Sequence, residues 1–513
     1  MLRVGLASLV LATTACSSEG VAPIGADAAE ADGESQDVGS VERDATAPSD
    51  GHPDAAVDAP SSRGDAGTAV LDAARDAAGD AIVDAGAADV PTADAGPAWM
   101  PPVETGAVTF PYRAYQCGYV VRRVSPGVSS AQFHAATSGA APRPRNLHLT
   151  FAGDPSTSVV LSWSTDGATL ATEVRFGDGP TALSRTAHGF SFTYAGATGR
   201  RQHEVHLCGL LPGHTYAYDV GGAAAGGRSA VWHFVTAPAG PSEVRAIVAG
   251  DSRTNPAQWA AVARRALGEG ADFMLLTGDA VADGTSQPLW DALFDASPEI
   301  FATLPTLWTH GNHEGLAEPY FAQLALPDNG GPRGAEQWYA LTYGPLRVVA
   351  LNDIVAAATD ISIAQVDFLR ASLTALDRAR TPYAFAMHHQ PMYTTSSAHA
   401  SDTTTRGAWA PLFDQFHVNV DLAGHVHSYE STHPLRGGMA ASTGSMVTAD
   451  RGTRFFNFGG GGAPLYTFNA TQPWIQLRES TRGYAVLTAS ATTLSWTAHR
   501  DDGTTLETVD LLR

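Results

Sequence analysis

The 513-residue sequence contains no lysine, so all 31 of its basic residues are arginines. They adjoin only as isolated pairs, Arg122-Arg123, Arg200-Arg201 and Arg264-Arg265, which excludes the basic stripe of a nucleic-acid footprint. Cysteine is almost missing too, with only Cys16, Cys117 and Cys208. If Cys16 is set aside, an even pair remains in an oxidising compartment, compatible with a disulfide or with two separate buried thiols. The Gly459–Gly462 run lacks the Gly-Lys-Ser/Thr of a phosphate-cradling loop and reads instead as a place of close backbone approach. Residues 21–97 contain no aromatic side chain. They hold 17 acidic residues against 3 arginines, a net of −14 out of −21 for the whole chain. Such a segment cannot bury a core, so residues 17–97 are expected to be a disordered, acidic tether. Brief helical runs such as residues 70–78 would not pack. The acidic balance therefore belongs to the tether and says little about substrate.

Residues 1–15 have one arginine near the start, an apolar centre at residues 4–12, and small residues before Cys16. That is a secretory signal, too short to span a bilayer. Thr13-Thr14-Ala15-Cys16 resembles a bacterial lipobox, although Thr13 stands where Leu or Val is usual. The resemblance implies a lipid on Cys16 and anchoring at the cell envelope, at the outer membrane or cell surface. Cleavage as an ordinary signal, giving a periplasmic or secreted protein, is the alternative.

A chain of this length exceeds one core and suggests two to four domains. Residues 98–142 form an unclassified lead-in whose Trp99, Phe110, Tyr112 and Tyr115 predict ordered packing. Residues 143–238 alternate apolar with polar positions between Gly and Pro turns, as half-buried antiparallel strands do. Residues 211–220 (Leu-Pro-Gly-His-Thr-Tyr-Ala-Tyr-Asp-Val) resemble the tyrosine-corner strand of a fibronectin type III sandwich.

The chemistry is concentrated between Asp251 and His427. Five blocks each follow an apolar run of strand character: Gly250-Asp251-Ser252-Arg253, Gly278-Asp279, Gly311-Asn312-His313-Glu314, His388-His389-Gln390-Pro391-Met392-Tyr393 and Gly424-His425-Val426-His427. Open α/β sheets place their ligands at the carboxyl ends of strands. Aspartate, asparagine and histidine without thiolate suit iron, manganese or zinc. Asp251 and Asp279 lie 28 residues apart, about one βαβ unit, with a helix expected over residues 258–266. On an extended backbone, His425 and His427 would project to one face. Two cations about 3.5–4 Å apart, bridged by a carboxylate, would activate water and clamp phosphoryl oxygens.

In this order the blocks resemble the calcineurin-like metallophosphoesterases, specifically the purple acid phosphatase branch. The likeness runs over about residues 143–513. It implies a four-layer α/β/β/α sandwich over residues 243–435, completed by strands in 436–513 and preceded by the all-β fibronectin type III-like sandwich. It also implies hydrolysis of phosphomonoesters by a metal-bound hydroxide at a binuclear site. Asp251 and His427 would hold the first ion, Asp279 would bridge, and Asn312, His389 and His425 would hold the second. His313 would stabilise the phosphate or donate a proton to the leaving oxygen. Of the adjacent histidines, a His-x-Pro-x-Tyr framing selects His389 and a Val-x-x-His framing selects His388; the first is preferred.

Two positions depart from the pattern. Ala282 replaces the tyrosine three residues after the bridging aspartate, and Arg253 replaces the histidine that other members carry two residues after the first aspartate. Water or Asp283 could substitute for the missing ligand. The planar fork of Arg253 suits a substrate phosphate. Two other functions remain open: a phosphodiesterase on the same core, and a non-catalytic surface binding protein with a degenerate site.

Overall fold

A computed structural model describes residues 104–512, apart from 124, 126, 333, 355–360, 441–446 and 449–451. The signal sequence, Cys16 and the acidic tether therefore lie outside the described residues.

The amino-terminal part is two antiparallel sheets packed face to face. One has the strand order Ser129–Phe133, Phe190–Thr193, Arg200–Cys208, Ser158–Asp166, Arg145–Thr150; the other has Arg185–His188, Glu173–Asp178, Thr215–Gly221, Trp232–Val235. Alternation along these strands sends Leu161, Trp163, Val174, Phe176, Tyr218 and Phe234 into the space between them. The Leu211 amide donates to the Tyr216 hydroxyl at 2.9 Å, so Tyr216 is the corner tyrosine of residues 211–220.

The lead-in, unclassified from sequence, is part of this sandwich. Its Ser129–Phe133 strand pairs with Phe190–Thr193 at the sheet edge. Phe110 and Tyr112 pack edge-on against Phe190, and Arg123 lies over Phe192 while pairing with buried Glu204. Cys117 and Cys208 form a disulfide across a separation of 91 residues, with Cα atoms 5.2 Å apart.

The remainder is built on two seven-stranded mixed sheets. In the first, Thr306–Trp308, Phe273–Leu276 and Val244–Ala249 run parallel, and Gly483–Ala489, Thr493–Arg500 and Thr505–Leu512 continue it antiparallel. The second places Leu346–Ala350, Tyr383–Met387, Val420–Ala423 and Arg454–Phe458 side by side in parallel. Its strands alternate between two cores. Leu346, Val348, Tyr383, Phe385 and Met387 face the first sheet's core, whereas Val349, Ala384 and Ala386 meet Leu369, Leu373, Trp409 and Phe413 of the Val366–Thr374 and Thr403–Phe416 helices. Helices Pro256–Leu267, Gln287–Ala296 and Pro298–Thr303 cover the first sheet. Helix, sheet, sheet and helix form four layers. Pro256–Leu267 begins where proline is pre-set for the first turn and Asn255 caps it by accepting the Gln258 amide at 3.2 Å.

Closing a 91-residue loop in the unfolded chain predicts that replacing both Cys117 and Cys208 by Ser costs about 4–5 kcal/mol. Urea midpoints of the wild type and the double variant measure this, and reductant should move only the wild type.

Candidate metal centre

All five blocks sit at carboxyl ends of parallel strands, where the two sheets abut. Asp251 follows Val244–Ala249 and Asp279 follows Phe273–Leu276, while Asn312 and His313 lie beyond Thr306–Trp308. From the second sheet, His388 and His389 follow Tyr383–Met387, and His425 and His427 follow Val420–Ala423.

The backbone there is strained. Asp251, Asp279 and His425 have φ of 54°, 51° and 64°, a region that costs a residue with a Cβ about 1–3 kcal/mol. Buried Glu314 holds part of this strain in place. Its Oε2 accepts the amides of Asp279 and Gly311 at 2.9 and 2.8 Å, and its Oε1 accepts that of Val281 at 3.0 Å. Burial and neighbouring Asp279 push the Glu314 carboxyl up to about 7. Sequence reasoning missed this residue, although it closes the Gly-Asn-His-Glu block. Asp251 Oδ2 accepts the His425 amide at 2.9 Å, joining the two sheets. Gly459 permits this approach: a Cβ there would come within 2.7 Å of Asp251 Oδ2.

Hydrogen bonds fix the tautomers. His389 Nδ1 lies 2.8 Å from the Thr277 carbonyl, which can only accept, so Nδ1 carries the proton. Its Nε2 then turns to Asn312 Oδ1 at 3.1 Å and Asp279 Oδ1 at 3.3 Å, both acceptors. His427 Nδ1 likewise donates to the Pro464 carbonyl at 2.6 Å, leaving Nε2 3.4 Å from Asp251 Oδ1. That carboxylate oxygen is buried without a hydrogen-bond partner. Lone pairs facing lone pairs in a dry site require a cation. Two donor groups result, Asp279 with His389 and His425, and Asp251 with Asp279 and His427. They share Asp279. Asn312 stands beside the first.

The electrostatics agree. Burial opposes ionisation of Asp279, but His389 and His313 outweigh it and hold the carboxyl below the usual range. Burial would also discharge His389, yet Asp279 outweighs it and pushes the imidazole up to about 10. His389 therefore takes a proton unless a metal replaces it. Burial and His389 push His425 down to about 2, leaving it a neutral ligand.

His388 faces the other way. It is buried between Asp353 at 2.8 Å and Asp421 at 3.1 Å, and these carboxylates, overcoming burial, hold it charged up to about 10. His425 and His427 do not share an extended strand as expected. The left-handed turn at His425 sends the pair to different donor groups. Asp283 is exposed and accepts the Thr285 amide and hydroxyl, so it does not complete either group. Arg253, expected at the substrate phosphate, lies at the metal-ligand cluster, with Nε 3.3 Å from Asp279 Oδ2 and Nη2 3.3 Å from His427 Nε2. His313 is 29% exposed at the rim, with Nδ1 donating to the Ala282 carbonyl at 2.7 Å and Nε2 3.9 Å from Asp279. His399, absent from the sequence expectations, brings its ring to 3.9 Å from that of His425. It carries no motif of its own, and only the folded chain places it here.

Other polar clusters fit less well. His134, Glu173 and His188 also lie together in the sandwich, but His134 Nδ1 accepts the Thr172 amide at 3.0 Å and Arg228 pairs with Glu173. A cavity of about 620 Å³ borders the lead-in and is lined by the Arg123–Glu204 and Arg122–Asp328 ion pairs.

Comparison with known proteins agrees with this geometry. Residues 144–236 match the purple acid phosphatase N-terminal domain, and residues 244–429 match the calcineurin-like phosphoesterase family. Purple acid phosphatase 21 of Arabidopsis thaliana is 27% identical over 67% of this chain and 78% of its own length. Acid phosphatase type 7 of Mus musculus is 29% identical over 70% and 87%. A purple acid phosphatase from yellow lupin seeds shares the fold, with a TM-score of 0.65 and 18% identity over 77% of this chain and 76% of its own. The protein is thus a metal-dependent hydrolase of phosphoric esters. Its residues 244–429 form a calcineurin-like phosphoesterase domain, preceded by the purple acid phosphatase N-terminal domain of residues 144–236. Purple acid phosphatases use two ions of iron, manganese or zinc, and the two donor groups are the candidate places for them.

Replacing Glu314 by Gln would set an NH₂ group against a backbone amide and leave a donor unpaired. A loss of about 1–3 kcal/mol is expected, read as a lower thermal midpoint for E314Q in metal-free protein. An unchanged midpoint would show that Glu314 does not hold these loops.

Proposed function

We propose that the protein hydrolyses phosphomonoesters at a binuclear site. Asp251 and His427 would hold the first ion, Asn312, His389 and His425 the second, and Asp279 belongs to both groups. The observation that supports this most directly is the pair of donor groups joined through Asp279, each with lone pairs turned inward. When bound, the two ions supply an activated water and neutralise the phosphate oxygens. The chain's own part is to orient the donors and keep them dry. His389 and His427 are fixed by carbonyl acceptors, and Glu314 fixes the strained loop bearing Asp279. His313 stands at the exposed rim with Nδ1 committed to Ala282, so Nε2 is the atom that would stabilise the phosphate or, as imidazolium, give a proton to the leaving oxygen.

The test compares a chromogenic phosphomonoester with its bis-ester, with and without chelator. Chelator is expected to abolish turnover and the monoester to be preferred. His313→Ala should lower kcat about 10²–10⁴-fold without changing metal content. Faster hydrolysis of the bis-ester would make the protein a phosphodiesterase instead.

We further propose that Cys16 carries lipid and anchors the enzyme at the bacterial cell envelope, with residues 17–97 as the tether. The short apolar start and the net charge of −14 in residues 21–97 support this. Labelling with an alkyne fatty acid should mark the wild type and not Cys16→Ala. Equal labelling of both would remove the anchor.

A further inference from the structure

Arg253 presents a permanent positive charge inside one donor group. Its Nε lies 3.3 Å from Asp279 Oδ2 and its Nη2 lies 3.3 Å from His427 Nε2. These are two of the three residues in the Asp251–Asp279–His427 group. The side chain is only 14% exposed, so the charge is held among the ligands rather than in solvent. Its Nη2 can donate to His427 Nε2, its charge faces the Asp279 carboxylate, and a guanidinium does not lose its proton near neutral pH. It therefore does for this group what a cation would do. In the other group, Asp279 Oδ1 and Asn312 Oδ1 are instead approached by His389 Nε2, at 3.3 Å and 3.1 Å, a ring without a fixed charge.

We infer that Arg253 is a resident competitor for the ion of the Asp251–Asp279–His427 group, so that the two metal sites fill in sequence and with unequal affinity. The inference rests on the metal reading above. The group of Asp279, Asn312, His389 and His425 takes its ion before the other. The Asp251–Asp279–His427 group takes one only as the guanidinium leaves Asp279 and His427. The charge balance is simple: the two carboxylates exchange one fixed positive charge for an ion of higher charge, and Arg253 moves toward solvent without gaining or losing a proton.

The experiment is calorimetric titration of the metal-free full chain with Zn²⁺, beside Arg253→Ala and Arg253→Gln. The wild type should show two separable events, the second at least about tenfold weaker. Both variants should tighten the second event by at least about tenfold and leave the first unchanged. Gln keeps much of the side chain without its charge, so agreement between the variants separates charge from a packing defect. Two equal sites in the wild type, or an unchanged second event in both variants, would overturn the inference while leaving a metal enzyme. No binding in any of the three proteins would overturn the metal reading as well.

Discussion

The centre depends on burying one carboxylate. Asp279 is 1% exposed, and three basic groups approach it: His389, His313 and Arg253. A bare carboxylate in so dry a place is strongly unfavourable, so the surroundings must supply positive charge. They come from separate elements. Arg253 follows the first strand of one sheet, His313 its third parallel strand, and His389 a strand of the other sheet. Satisfying Asp279 thus ties together loops from both sheets, beside the His425 amide on Asp251 and the amides on Glu314.

That convergence explains the strain and the glycines. Holding acidic oxygens close to facing backbone requires Asp251 and Asp279 in left-handed conformations, which isolated chains disfavour. Three amides directed at Glu314 and one at Asp251 Oδ2 make the arrangement the best available. The glycine run approaches from the far side because any side chain at Gly459 would meet Asp251. The same contacts exclude water, and in a dry site each lone pair attracts a cation more strongly.

Much of this was legible in sequence. Asp251, Asp279, Asn312, His389, His425 and His427, which the fold brings together, stand out in sequence because glycine-flanked polar blocks follow apolar runs, and strand ends are where sheets present ligands. The four layers are what the resemblance of those blocks to the metallophosphoesterases implies. The choice between His388 and His389 was less accessible. It depended on Asp353 and Asp421, which carry no motif and meet His388 only through folding. Glu314 closes a block, but its role is hidden in sequence because its partners are backbone amides. The lead-in stayed unclassified for a similar reason: its edge strand, Ser129–Phe133, lacks a clean alternation and is held by side-chain packing and a disulfide.

The absence of lysine gives the inward turn of Arg253 its particular meaning. A lysine in that position could discharge beside an incoming ion, because an ammonium loses its proton readily when buried next to positive charge. It would then be a neutral amine and could join the ligands. Arginine has no such exit, since its guanidinium remains protonated in proteins. Competition at that donor group can therefore end only by movement of the side chain, and the remaining exposure of Arg253 marks the direction open to it. Buried ligands, two of which face a fixed charge, make a site easier to empty than a group that faces none. The asymmetry between the two halves of the centre follows from this one residue.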